Sequence, residues 1–247
     1  MITRRTLLAG GAGLLLAGCD RVDRSEGFRG LLRKAEGLTM KAQRLLVDRE
    51  ALAREFGAAD LSPVFRANGN VMPQDAAYPA LAANGFADWR LTVDGLVRRP
   101  LSLSLAQITR LPRRTQITRH DCVEGWSAIG KWTGARLSTL LDLAGLREGA
   151  NFLVFHCMDR FGPHPYYESI DLVDAFHPQT ILAYALNDAM LPIPNGAPLR
   201  LRVERQLGYK HAKYLRRIEA VASLDGIHGG RGGDWEDSND YEWYAGI

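Results

Sequence analysis

The chain has 247 residues, with 31 basic against 28 acidic side chains, 46% hydrophobic and 24% charged residues. These ordinary globular values argue against a disordered, collagen-like or coiled-coil chain, and the length fits one large domain or two small ones. The formal charge of +3 comes without a concentrated basic patch, so no nucleic-acid partner is expected.

The first 18 residues read as an export signal. Thr3-Arg4-Arg5-Thr6 forms a twin-arginine start, and Leu7 to Gly18 follows as an uncharged stretch too short to span a bilayer. Leu16-Ala17-Gly18-Cys19 matches a lipoprotein cleavage box, placing small residues before a cysteine that can take a lipid; a plain twin-arginine signal with an incidental Cys19 is the alternative. The expectation is a periplasmic protein held to the membrane by lipid at Cys19. Twin-arginine export carries folded proteins, which points to a cofactor inserted in the cytoplasm.

Residues 24–56 place Phe28, Leu31, Leu32, Ala35, Leu38, Ala42, Leu45, Leu46, Leu52 and Phe56 near helical spacing. This predicts one or two amphipathic helices, interrupted near Gly37 and closed by Gly57. Residues 61–88, rich in Pro, Asn, Gly and Ala, predict a long irregular segment. Leu91 and Val93 alternate ahead of an expected Asp94-Gly95 turn. A short helix is expected from Ser104, as N-cap, to Arg110. Thr115 to Thr118 reads as a strand running into His120-Asp121-Cys122. Leu137 to Ala144 reads as a helix stopped by Gly145, and Phe152 to Cys157 as a buried strand. Leu199 to Val203 alternates as a strand, and Leu215 to Ala222 reads as another. The Gly-rich tail from Gly226 lacks the strand-to-helix context of a nucleotide loop. Strands and short helices mix without a regular βαβ rhythm, which predicts an α+β fold with mixed β-sheets. The expected organisation is a signal over 1–18, a helical arm over 19–60 and one domain over 61–247.

Three cysteines occur. With Cys19 assigned to the lipid, Cys122 and Cys157 are left as a disulfide, two inert thiols, or one working thiolate. The absence of CxxC, CxxCH and HExxH argues against structural zinc, covalent haem and a zinc-protease site. In His120-Asp121-Cys122-Val123-Glu124-Gly125-Trp126-Ser127, Cys122 ends a strand before a turn, where a soft thiolate could be presented to a metal; a buried structural cysteine is the other reading. Downstream, Asn195-Gly196-Ala197-Pro198-Leu199-Arg200 and Leu207-Gly208-Tyr209-Lys210-His211-Ala212-Lys213 combine glycines with Arg200, Lys210 and Lys213, which suits a phosphate. A solvated basic face is equally compatible, since Arg202, Arg205, Arg216 and Arg217 crowd the region.

Together these segments resemble the molybdopterin-binding domain of the sulfite oxidase family, in particular its bacterial periplasmic branch of methionine-sulfoxide reductase catalytic subunits. The resemblance runs from about Phe65 to the C-terminus. It rests on Phe65-Arg66-Ala67-Asn68-Gly69, Cys122-Val123-Glu124-Gly125-Trp126, Trp132-Thr133-Gly134, Leu182-Ala183-Tyr184-Ala185-Leu186-Asn187, Asn195 to Arg200, and Gly208 to Tyr214 in that order.

The resemblance implies that Cys122 is the protein thiolate on molybdenum, with Asn68 and the backbone of Val71 and Met72 contacting the pterin. It places Cys157 beside the cofactor, Asn195 and Arg200 on pterin or phosphate, and His211, Ala212 and Lys213 around the phosphate. The implied cofactor is molybdopterin without a nucleotide, the chemistry oxygen-atom transfer, and no haem is expected in this chain. The substrate would be a small oxo donor or acceptor, an S-oxide or N-oxide to be reduced or a small sulfur compound to be oxidised. Electrons would pass through an external cytochrome b or c. Ala67 stands where eukaryotic sulfite oxidases carry a sulfite-binding arginine, which speaks against sulfite. His164, Tyr166 and Tyr167 are expected near the pocket edge. The competing class is a non-catalytic lipoprotein binding a small anion or a partner protein through the basic segment.

Overall fold

The computed structural model describes residues 25–247; the expected signal and Cys19 lie outside the described residues. The chain divides into two compact units, residues 1–48 and 49–247. In the first, helix α1 (Glu26–Leu46) starts at Ser25, whose hydroxyl accepts from the Phe28 amide at 3.2 Å. It runs through Gly37 without a break and ends eleven residues before Gly57. The expected interruption does not occur because one glycine costs a helix only about 1 kcal/mol. The stretch with Leu52 and Phe56 belongs to the second unit and is not helical: within that unit Phe56 donates to the Ile117 carbonyl at 2.9 Å and Glu55 bridges to Thr118. Among the described residues, no helix is long and apolar enough to cross a membrane.

The second unit contains α2 (Tyr78–Ala83), β1 (Arg90–Gly95), β2 (Leu101–Ser104), α3 (Leu105–Ile108), β3 (Arg113–Cys122), β4 (Trp126–Arg136) and α4 (Leu137–Ala144). There follow β5 (Phe152–Phe161), β6 (His164–Asp171), α5 (Leu172–Ala175), β7 (Ile181–Leu186), β8 (Ala189–Met190), β9 (Arg200–Arg202), β10 (Leu215–Val221) and α6 (Asp234–Asn239). One sheet has the order β2-β1-β10-β5-β6; the other runs β3-β4-β7-β8, with β9 paired to β7. Only β1 and β10 pair in parallel; the other pairs are antiparallel. The mixed sheets with short helices are the α+β architecture that the pattern predicts.

Local chemistry accounts for much of this. In β1, Leu91 and Val93 are buried while Arg90 and Gly95 face outward, the alternation of a strand with one covered face. Ser104 caps α3 through a reciprocal exchange with Gln107. Gly145 ends α4 with a left-handed φ of 65°. The Asp94-Gly95 pair does not turn the chain. Both residues continue β1 beside β10, opposite Glu219 and Ala220, because β10 supplies partners that the isolated sequence does not reveal. A Cβ on Gly95 would lie 2.3 Å from the Ala220 carbonyl oxygen, so this glycine serves close strand approach. One apolar core draws Leu91, Phe155 and Ile218 from the first sheet and Ala135, Leu182 and Leu201 from the second.

The basic residues around β9 are the largest departure from a solvated face. Arg200, Arg202 and Lys210 are fully buried, while Arg216 is exposed. Arg202 pairs with Glu204 at 2.6 Å, and Arg205 reaches Asp174 at 3.3 Å. Lys210 Nζ lies 2.5 Å from Glu168 of β6 and 2.6 Å from Glu236 of α6. Burial and the Glu236 charge push Glu168 well above the usual carboxylate range, while the two carboxylates hold Lys210 above its ordinary value. The cluster therefore holds one ammonium between two carboxyl groups with no exposed surface. Removing one member of a buried charge cluster strands the others without solvent. Lys210→Met is expected to lower the unfolding free energy by about 3–5 kcal/mol in urea titrations. Adding Glu168→Gln and Glu236→Gln should recover much of that loss; an equal loss in the triple variant would show that stranded charge is not its cause.

Candidate functional site

Strands β3 and β4 form a hairpin that presents Cys122. Cys122 pairs with Trp126 across a three-residue loop, the Gly125 amide returns to the Cys122 carbonyl at 3.0 Å, and Gly125 has φ 84°. This loop needs a left-handed residue at its last position, which glycine supplies. Glu124 sits between two neighbours, accepting from Trp126 Nε1 at 2.9 Å and from the Gly69 amide at 3.4 Å. It thereby ties the cysteine hairpin to the Asn68–Asn70 loop. Cys122 is partly exposed, and burial raises its thiol above the ordinary value. A metal bound there would bring it to the thiolate form.

Facing this hairpin is the loop from Gly208 to Tyr214. Lys213 Nζ donates to the carbonyls of Asn68 (2.5 Å), Asn70 and Pro194 (2.9 Å). Burial and the Arg200 charge bring its ammonium down to about 7. His211 Nε2 lies 3.0 Å and 3.1 Å from the carbonyls of Val203 and Gln206, so Nε2 carries the proton and Nδ1 is a bare acceptor. Burial and the Arg202 charge hold this imidazole well below its ordinary value, hence neutral. Between the hairpin and the loop opens a cleft of about 150 Å³ whose wall includes Cys122, Asn68, His211 and Lys213.

The other residues expected at the site fall elsewhere. Arg200 does not line the cleft. Its guanidinium is fully buried, donates to the carbonyls of Asn195 (3.0 Å) and His211 (3.2 Å), and stacks over Trp132 at 5.1 Å. It is drawn down to about 9 by burial and Arg202, and stays cationic at neutral pH. Asn195 is buried beside it, and the buried Ala212 accepts from the Leu201 amide at 2.8 Å. Cys157 is a buried free thiol in β5, pushed well above its ordinary value by burial, and it is not joined to Cys122. Val71 and Met72 are exposed at 56% and 49% and lie outside the cleft wall. Of the three residues expected at the edge, Tyr166 lines the cleft. Tyr167 turns its hydroxyl to Asp237, and His164 lies beside His228.

The sequence matches the family described as oxidoreductase molybdopterin binding domain over residues 65–225. The chain belongs to this family. It is an oxidoreductase whose domain binds molybdopterin, which sets aside the non-catalytic lipoprotein. Two curated relatives are similar. The chain is 41% identical over 160 residues to YedZ1 of Azospira oryzae, provisionally named a protein-methionine-sulfoxide reductase subunit, covering 65% of this chain and 56% of that protein. It is 33% identical over 144 residues to MsrP of Campylobacter jejuni, a protein-methionine-sulfoxide reductase catalytic subunit, covering 53% and 48%. The chain thus spans about half the length of the curated relatives it matches. The sulfane dehydrogenase SoxCD from Paracoccus pantotrophus shares the fold, with a TM-score of 0.53 and 23% identity over 58% of this chain and 41% of that one.

The residues of the cleft fit the family's cofactor. Asn68 Oδ1 and His211 Nδ1 are buried polar atoms without a hydrogen-bond partner, and both side chains line the cleft. Buried atoms left this way are costly unless a polar ligand meets them. Lys213 adds an ammonium and Cys122 a sulfur to the same lining.

Sequence reasoning missed Asp159, Phe161, Trp235 and Tyr241, which also line the cleft. Asp159 had a visible signal, as the lone acid in the otherwise apolar and neutral run from Phe152 to Met158 and beyond. Asp159 is buried, receives Asn70 Nδ2 at 3.1 Å on one oxygen and leaves the other without a partner. Burial raises its carboxyl from 3.8 to about 6. A carboxyl raised in the fold releases its proton later than in the unfolded chain, so stability falls as pH rises from about 4 to 6 and stays lower above. Asp159→Asn should therefore stabilise the apoprotein above pH 6 by up to roughly 3 kcal/mol, with the gain vanishing below pH 4. Thermal melts across that range measure it, and a gain that persists at low pH would contradict the assignment.

Proposed function

We propose that this chain is the catalytic part of a periplasmic molybdenum oxidoreductase that reduces an S-oxide, with electrons delivered by a separate cytochrome b or c. The observation that carries the reading is the cleft itself, where Cys122 meets Asn68, His211 and Lys213 in one wall. The names of the two curated relatives support the choice of an S-oxide, and Ala67 in place of an arginine argues against sulfite. N-oxide reduction, or oxidation of a small sulfur compound, would use the same groups.

Bound molybdopterin supplies a molybdenum centre that exchanges an oxygen atom and two electrons. Cys122 would ligate the metal as its protein thiolate. Asn68 would orient the pterin through its amide, and Lys213 with the backbone of His211 and Ala212 would neutralise the phosphate. Arg200 would act indirectly, fixing the carbonyls of Asn195 and His211 and so the shape of the phosphate loop. Val71 and Met72 would contribute through their backbone, and Cys157 would stand near the cofactor as a weaker hydrogen-bonding side chain than a hydroxyl. In net terms the S–O bond breaks, sulfur is reduced to the thioether level, and oxygen leaves as water with two protons. The two electrons come singly from the cytochrome.

Wild-type protein made in a molybdenum-replete host should carry close to one molybdenum per chain and reduce an S-oxide with reduced viologen as donor. In Cys122→Ser, bound molybdenum should fall by at least about tenfold, the scale of losing a metal-site group. Full retention of metal in that variant would remove Cys122 from the metal.

The organisation proposed for the whole chain is a twin-arginine signal over 1–18, an arm over 19–60 and the catalytic domain over 61–247. A lipid on Cys19 would keep the enzyme beside a membrane-bound electron donor. Arg4→Lys with Arg5→Lys should leave the protein in the cytoplasm on fractionation, whereas Cys19→Ala should release exported protein from the membrane. Unchanged export in the first variant, or unchanged membrane association in the second, would refute that targeting step.

A further inference from the structure

One wall of the cleft is a continuous row of five aromatic rings. Tyr166 meets Phe161 with ring centroids 6.3 Å apart, Phe161 meets Trp235 at 4.6 Å, Trp235 stacks on Tyr241 at 5.6 Å with 24° between planes, and Tyr241 meets Tyr209 at 5.1 Å. All five line the same cleft as Cys122. The hydroxyls of Tyr166 and Tyr209 are turned to the carbonyls of Tyr209 and Glu242, at 3.0 Å and 2.6 Å, which fixes both rings in the wall. Phe161, Trp235 and Tyr241 are only half-buried.

Trp235 and Tyr241 come from the segment after residue 225, beyond the stretch that matches the family. That segment is pinned rather than loose. Glu236, next to Trp235, is one of the carboxylates on Lys210, and Lys210 follows Tyr209 directly. The Tyr241 amide donates to the Trp235 carbonyl at 3.4 Å. The buried charge cluster thus fixes rings from two distant parts of the chain into one surface.

The charges near this wall decide what it can take. The carboxyls on the cleft are Glu124 and Asp159. Lys213 holds three backbone carbonyls and is the group assigned above to the cofactor's phosphate. A small oxyanion such as sulfite would find two acids and an apolar wall. Aromatic faces instead provide a large apolar contact and favourable contacts to divalent sulfur.

We propose that these five rings bind the organic arm of the substrate, making Trp235 and Tyr241 specificity-determining residues that select a neutral thioether S-oxide with an apolar or aromatic substituent over small or anionic oxo compounds. The proposal rests on the S-oxide reading above and deepens it.

The test uses the holoenzyme, its Trp235→Ala, Trp235→Phe and Tyr241→Ala variants, and the probes methyl p-tolyl sulfoxide, dimethyl sulfoxide and methyl p-tolyl sulfide. The wild type should show a higher kcat/KM for the aryl sulfoxide than for dimethyl sulfoxide. Trp235→Ala and Tyr241→Ala should cut that preference by at least about tenfold, the scale of an apolar specificity contact. The loss should fall mainly on KM, and Trp235→Phe should restore most of it. Molybdenum and pterin content should be unchanged in all variants. Binding is read without turnover by fluorescence. The sulfide, which has no oxygen to lose, should quench wild-type tryptophan emission saturably, and Trp235→Phe should lack that component. Equal losses for both sulfoxides, reduced cofactor content in the variants, or absence of saturable quenching would each overturn the proposal. Saturable quenching in an enzyme that reduces neither sulfoxide would sustain the aromatic subsite while rejecting the S-oxide reaction.

Discussion

The second unit is organised around cations that have been taken out of water. Arg200, Arg202 and Lys210 have no exposed surface, and Lys213 has little. A buried cation is tolerable only where fixed acceptors surround it, and each acceptor must then hold its place. The partners come from separate parts of the chain: Glu204 for Arg202, Glu168 and Glu236 for Lys210, and carbonyls of residues 68, 70 and 194 for Lys213. These demands fix the path of the loop between β9 and β10, draw in the Asn68 loop on one side and clamp the C-terminal helix on the other.

The cleft follows from that arrangement. The Gly208–Tyr214 loop, held from behind by Arg200, opposes a hairpin whose turn carries Cys122. Three buried polar atoms remain unmatched within the wall: Asn68 Oδ1, His211 Nδ1 and Asp159 Oδ1. Cys122, Lys213, the acids Glu124 and Asp159 and the five aromatic rings all line this one cleft. Glu124 and Asp159 both reach the Asn68–Asn70 loop that Lys213 holds.

Much of this could be read before any coordinates. The strand ending at Cys122, the Gly-Trp turn, the Ser104 cap and the Gly145 stop are local decisions made by residues within a few positions of one another, and each appears in the structure as expected. Asn68, Cys122, His211 and Lys213, named from ordered motifs, do meet around one cleft. The helix expected to break at Gly37 does not, since a small local cost is outweighed by the amphipathic pattern on both sides. The Asp94-Gly95 pair extends a strand because a partner 120 or so positions away offers hydrogen bonds.

The sequence by itself determined the family, the mixed α+β class and the cysteine that faces the cleft, because ordered motifs and short-range turn chemistry survive without knowledge of long-range contacts. Tertiary structure alone decided which basic residues are buried and which are solvated. Alternation along Leu199 to Val203 looks the same whether the arginines meet water or a buried carboxylate, and the difference lies in residues far off in the chain. It also decided that Arg200 shapes the loop from behind, that Cys157 is buried outside the cleft wall, and that Trp235 and Tyr241 come back to complete that wall. These are matters of which distant groups share one small volume, and a linear pattern carries no measure of that distance.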